Sequence, residues 1–381
     1  MPQLAALTDG QPAGGDILDL LMALDAAAEW ATEHKVSWVK SWLALQPGRD
    51  ALVATSATVN FVNGIRQQLP ASLLSEQSFT SVPLPAGSTA SGWLAVFPDL
   101  VDGDGLVQEA ATDYSTITAM VNADITRAGI VFASDADKEQ AISSLSGIIW
   151  QARQAQNGIA DSALAQMFGT AQSLPPFLLS WAGDSEYRLL ADSLAMNGGA
   201  ALTDPSQVPA PYLTDLFALG QRAGISTAFT LTPPTLSLFL AHPDWFGVSD
   251  TALTLTLLYR FSRYGDWLKT AGEEDRVLAY LSWANGTTPP DASQAAEALA
   301  LLLAWESSEV ADATAGLPDA IAKTTADVDY VMRLQQLSAE TGLSVTPLLA
   351  TGELAPGDVN DSWDAWQSAG ESLVAAQSGQ Q

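Results

Sequence analysis

Apolar residues recur at three- and four-residue steps along almost the whole chain, and this spacing restricts it to helices that each present one greasy face. Asp16 to Leu45 is representative: Ile17, Leu20, Leu21, Leu24, Ala27 and Trp30 line one helix, and Val36, Val39, Trp42 and Leu43 line a second after a corner at His34, Lys35 and Ser37. Comparable stretches are Thr112 to Ile130, Lys138 to Ala155, Asp184 to Met196, Tyr212 to Gly224, Thr251 to Thr270, Ser293 to Trp305, Asp327 to Glu340 and Asp361 to Gln377. Strand signals are confined to Phe79–Leu84 and Phe229–Leu231, and Pro83 and Pro85 demote the first to an edge or an extended loop. The expected fold is all-α: irregular stacked helical hairpins joined by long Pro/Gly-rich loops.

Breakers gather in three zones: Ser81 to Gly105, Thr203 to Pro211 and Asn285 to Asp291. Aromatic anchors nearby (Trp93, Phe97, Tyr212, Trp283) mark them as loops between helical layers. A soft boundary near 203–211 divides the chain into an N-terminal helical region, 1–202, and a C-terminal region, 203–381, that carries the clearest hairpins.

Those hairpins resemble one another. Asp327 to Ala350 lies on the N-terminal hairpin without a gap at an offset of 307, Val328 on Leu21, Val331 on Leu24, Leu334 on Ala27, Leu337 on Trp30 and Leu349 on Trp42. A copy beginning at Tyr212 matches over its first helix, and a looser one runs through Leu258, Phe261, Tyr264 and Trp267 to Val277, Tyr280 and Leu281. Each unit reads as an amphipathic helix, a tight corner at Gly224, Gly272 or Gly342, and a second short helix. One such hairpin cannot bury its apolar face alone, so neighbours must stack.

Composition removes several functions. The 381 residues hold 15 Lys+Arg against 43 Asp+Glu, a formal charge of −28, and the basic residues are scattered singly. Tracking a phosphate backbone requires clustered cations, so nucleic acid is an unsuitable partner. The acid is densest at the end: residues 271–381 carry 17 acids and 3 bases. That surface is repelled by anionic membranes, and any pH response must come mainly from carboxylates because only His34 and His242 are present. Cysteine is absent, which removes disulfides, thiol nucleophiles and Cys-ligated zinc. The longest apolar run, Ala298 to Trp305, is far short of the roughly 20 residues that span a bilayer, so no membrane insertion by this chain alone is expected. Residues 1–15 show neither a basic region nor an apolar core of a signal peptide.

The chemical motifs are weak. Neither histidine has a neighbouring ligand set, and there is no G-x-S-x-G elbow or G-K-[ST] phosphate loop. Asp99 to Gly105 has the look of a calcium loop, yet Leu106 and Asp113 stand where an EF-hand needs an oxygen ligand and a Glu, so an Asp/Gly turn is the expectation. Trp30, Trp38, Trp42, Trp363 and Trp366 read as helix-packing residues before sugar platforms. Asn285-Gly-Thr and Asn360-Asp-Ser fit the glycosylation pattern. No catalytic, cofactor-binding or metal residue is nominated, and no cofactor is expected.

Leu257-Leu-Tyr-Arg-Phe-Ser-Arg-Tyr-Gly-Asp-Trp-Leu268 with Val277 to Leu281, Asp329-Tyr-Val-Met-Arg-Leu334, Gly342 to Leu349, and Trp363, Trp366 and Ser372 to Ala376 resemble the helical shell of the A component of bacterial insecticidal toxin complexes, the Tc toxins. Weaker echoes reach back to about residue 16. The resemblance implies a scaffold without enzymatic turnover, in a shell around a translocation channel. It implies association with other A-component chains in a pentameric assembly, indirect engagement of the B–C components, and contact with a host-surface receptor or glycan. It also implies a secreted or cell-surface location. At 381 residues the chain is far shorter than an intact A component, which suggests a fragment or a split subunit. The alternative reading is a stand-alone all-helical module that binds a protein or glycan.

Overall fold

The computed structural model describes residues 56–352 and 363–379; the expected Asp16–Leu45 hairpin, His34 and the Asn360 sequence lie outside them. The expected all-α architecture is what forms. Among the described residues the sole β pairing is an isolated antiparallel bridge between Val101 and Val107. Phe79–Leu84 and Phe229–Leu231 form no strand, and Glu76–Phe79 is a 3-10 turn. The described residues fall into two compact units, 56–228 and 229 onward.

The first unit contains α1 (Ser56–Gln68), α2 (Tyr114–Arg127), α3 (Asp135–Phe168), α4 (Pro175–Ala182), α5 (Glu186–Ala195) and α6 (Ala210–Ala228). Helix α3 is its spine, about 50 Å long at 1.5 Å per residue, with α1, α2 and α5 packed along it. The Ser134 hydroxyl caps its start by accepting from the Asp137 amide, and Gly169 at φ 66° ends it in the left-handed conformation. Ile117, Val121 and Ile125 of α2 meet Leu145 and Ile149 of α3 in the core.

The breaker-rich Ser81–Gly105 zone is an ordered cover on that core. Trp93 stacks on Phe97 with centroids 5.6 Å apart, and its indole N–H donates to the Val82 carbonyl. The Glu76 carboxylate accepts the Trp93 and Leu94 amides, both at 2.9 Å, leaving no room for a side chain at Gly92. The 203–211 stretch also lies inside this unit, with Pro205–Gln207 forming a 3-10 turn that leads into α6. Arg66 of α1 reaches the end of α5: its Nε donates to Ser193 O at 2.6 Å, and its remaining nitrogens donate to the carbonyls of Leu194, Met196 and Ala200. One cation thus satisfies carbonyls that a helix C-terminus leaves open.

The second unit runs through α7 (Pro233–Ala241), α8 (Leu255–Ala271), α9 (Glu274–Ala284), α10 (Ala292–Leu303), α11 (Ser307–Thr314), α12 (Thr325–Thr341), α13 (Val345–Gly352) and α14 (Trp363–Gly379). Its core is a chain of aromatic rings, Phe239, Phe246, Phe261, Tyr264, Trp267 and Tyr280, meeting mostly edge to face. Acids on α11 prepare the start of α13: Glu309 accepts the Val345 amide at 2.7 Å and Asp312 the Thr346 hydroxyl at 2.8 Å. On α14, Trp363, Trp366, Leu373 and Val374 are exposed, so these two tryptophans are not the packed residues their spacing suggests.

The hairpin repeat is realised in two of its described copies. Gly272 between α8 and α9 (φ 75°) and Gly342 between α12 and α13 (φ 73°) are left-handed helix ends. Gly224 is a correction: α6 continues through it to Ala228, because Ala223, Ile225 and Ser226 keep the buried face going. Past Ala228, Thr230 takes φ 54° just before the Thr232 cap and the Pro233-Pro234 start of α7.

Candidate functional site: a sealed ion-pair node

Within the stretches that resemble the toxin shell, polar residues interrupt the apolar faces of α8 and α12. On α8, Tyr259, Arg260, Arg263 and Asp266 fall within two turns; on α12, Asp329 and Arg333 stand four apart. Asp329 is 1% exposed and Arg263 8%. Burial of a carboxylate demands full compensation, and the neighbours provide it. One Asp329 oxygen accepts from Arg263 Nε. The other accepts from the Tyr259 hydroxyl at 2.8 Å and lies 3.5 Å from Arg333 Nε and 3.8 Å from an Arg260 nitrogen. Arg263 also binds Asp266 at 3.0 Å, which in turn holds Lys269 at 3.2 Å. Three of the fifteen basic residues of this acidic chain thus converge on one carboxylate.

Two details show how tightly the node is enclosed. Gly247 at φ 74° passes so close that a Cβ there would lie 2.8 Å from Ala326 and 3.1 Å from Arg260 Nε. Desolvation, followed by the hydrogen bond to Asp329, pushes the Tyr259 hydroxyl above its ordinary pKa. A carboxylate closed off this way and saturated with donors offers no lone pair to a substrate. Its chemistry is mechanical, fixing the register of α12 on α8.

A second polar contact joins α7, α8 and α9. The Glu274 carboxylate accepts from the hydroxyls of Thr232 and Thr235, and Thr235 shares a 2.8 Å hydrogen bond with Tyr264. The carboxylate sits at the N-terminus of α7, where the helix dipole favours it.

Other residues weighed in the sequence have structural partners. His242 ends α7 and stacks on Trp245 at 3.8 Å between centroids. Asp102 accepts from the amides of Asp104 and Leu106, so Asp99–Gly105 is the expected Asp/Gly turn. No group of three His, Cys, Asp or Glu suited to a metal occurs among the described residues. The Asn285 side-chain amide donates to the carbonyls of Leu281 and Lys323. Spacing alone did not reveal the node. Its available signal was Arg263 and Asp329 standing at positions where the helical stripe calls for apolar residues.

These features define a helical-hairpin scaffold whose most buried charges are committed internally. No protein-family model matches the chain. The chain is similar to the toxin subunit YenA1 of Yersinia entomophaga, 26% identical over 388 residues, an alignment covering 97% of this chain and 32% of that protein. The alignment runs through α8, α12 and α13, which carry sequence stretches that resemble the Tc toxin shell.

Proposed function

We propose that this chain is a non-catalytic shell segment of a Tc-type toxin A component, supporting oligomeric assembly, host-surface association and toxin translocation. The observation carrying this reading is similarity to a toxin subunit along nearly the entire chain, on a scaffold of stacked helices. The internal saturation of the Asp329 node fits a part whose task is to hold shape. In this reading its partners are further A-type chains in a pentameric assembly, with the B–C components engaged indirectly, and its location is secreted or cell-surface associated. No helix among the described residues is long and apolar enough to cross a membrane.

Native mass spectrometry of the full chain, alone and co-expressed with a second Tc-type A polypeptide, tests the proposal. A complex containing five copies of each chain is the expected result. A chain that stays monomeric in both preparations would support the stand-alone module instead.

A further inference from the structure

We propose that Arg260 and Arg333, at the rim of the Asp329 node, form a binding site for a small tetrahedral dianion of the sulfate or hydrogen phosphate type. The node has its acceptors saturated and its donors in surplus. Four cations, Arg260, Arg263, Lys269 and Arg333, meet two carboxylates, Asp266 and Asp329. Asp329 commits its hydrogen bonds to Arg263 and Tyr259. The other two arginines approach it at 3.8 Å and 3.5 Å, beyond the usual length of a hydrogen bond. Each guanidinium carries five N–H donors, and among the described residues neither makes a hydrogen bond.

Arg260 has the greater need of an anion. Its side chain is 22% exposed, its Nε is buried without a partner where Gly247 passes, and its guanidinium carbon lies 5.5 Å from the Tyr259 ring centroid. A guanidinium so far withdrawn from water, with one long ion pair to a saturated carboxylate, is undercompensated. Packing against Gly247 and Tyr259 also fixes where it stands, which lowers the entropic cost of binding. Arg333 on the facing helix is 57% exposed, so a ligand can reach the pair from solvent. Both arginines approach the same Asp329 oxygen, and their donors therefore converge closely enough to share one oxyanion.

Charge selects the ligand. Cations outnumber carboxylates at the node by two, which a dianion balances and a single carboxylate does not. A tetrahedral oxyanion also presents enough acceptor oxygens for guanidinium forks arriving from two helices. A polyanion fits poorly, because the chain's formal charge of −28 repels an extended anionic surface. A small ion is governed by the local excess, since exposed charges farther off than about 8 Å are largely screened. This inference goes beyond the shell reading and does not depend on it, because every group involved belongs to this chain.

The test is isothermal titration calorimetry of the full chain with sodium sulfate and with sodium phosphate at pH 8, ionic strength being held constant with chloride, and acetate serving as the monoanion control. Saturable binding of a dianion with a Kd of about 1 mM or tighter is expected from a pair of charge-assisted hydrogen bonds, with acetate at least tenfold weaker. Arg333→Gln should weaken dianion binding at least tenfold. Arg333→Lys, which keeps the charge and loses the fork, should weaken it about threefold, and Arg127→Gln in the first unit should leave it unchanged. Arg333 is more than half exposed, and circular dichroism melting of its variants separates lost binding from lost fold. Absence of saturable binding by both dianions, acetate binding as tightly as they do, or binding undisturbed by Arg333→Gln in a folded variant would each overturn the proposal.

Discussion

Gln156, buried in the middle of α3, accepts the Val107 amide at 2.9 Å and donates to Gly105 O at 3.1 Å and Ser72 O at 2.9 Å. One amide side chain therefore fastens both sides of the loop that covers the first unit's core. Gly105 makes this possible, because at φ 88° a Cβ would lie 2.4 Å from Leu74 O.

Replacing Gln156 by Leu would leave three backbone groups without that partner. The expected loss is about 2–4 kcal/mol, since an abandoned buried polar group costs more than a hydrogen bond returns. Urea unfolding followed by Trp fluorescence should show a lower midpoint; an unchanged midpoint would mean that water replaces the amide at no cost.

At the ion-pair node, Asp329→Ala leaves the buried Arg263 with Asp266 as its remaining carboxylate partner and should cost about 3–5 kcal/mol. Combining it with Arg263→Met should restore part of that loss, because the double variant leaves no uncompensated charge from this pair. A double-mutant cycle by thermal denaturation measures the coupling, and strict additivity would show that the two residues act independently.

Asp161 on α3 gives stability a pH dependence opposite to that of an ordinary paired carboxylate. Burial, with a smaller contribution from Glu186, raises its pKa to about 7, and one of its oxygens lacks a partner. The folded value lies above the unfolded one, so the group's contribution is complete below about pH 4 and is lost as pH rises through about 7. Asp161→Asn should therefore raise the melting temperature at pH 8 by a few degrees, corresponding to about 1 kcal/mol, and leave it nearly unchanged at pH 4. Equal shifts at both values would contradict this account.

The glycine within α8 and the glycine that ends it predict opposite signs. Gly265 lies within the helix with open space at its Cβ position, so Gly265→Ala should stabilise by about 0.5–1 kcal/mol. Gly272 has equally open surroundings but φ 75°, so Gly272→Ala should destabilise by about 1 kcal/mol through backbone strain alone. Chemical denaturation of both variants decides the matter.

Periodicity was sufficient to find these helices because their burial is one-sided: Leu258, Phe261 and Leu334 lie inside where the stripes put them. The corners at Gly272 and Gly342 were legible for a second reason, since each helix needs a left-handed residue at its end. The same glycine logic misplaced the corner at Gly224, where the buried stripe continues and the helix runs on to Ala228. The node was hidden, because pairing Arg263 with Asp329 requires knowing which two helices touch.

The Arg66 contacts with the end of α5 bear on how the first unit folds. They join residues 127 to 134 positions apart, so closing them requires most of the intervening chain to be in place, and loop entropy opposes their early formation. Until Arg66 docks, the carbonyls from Ser193 to Ala200 must rely on water. The end of α5 is thus expected to be among the last parts of this unit to gain protection from hydrogen exchange, and α1 supplies the contact that completes it.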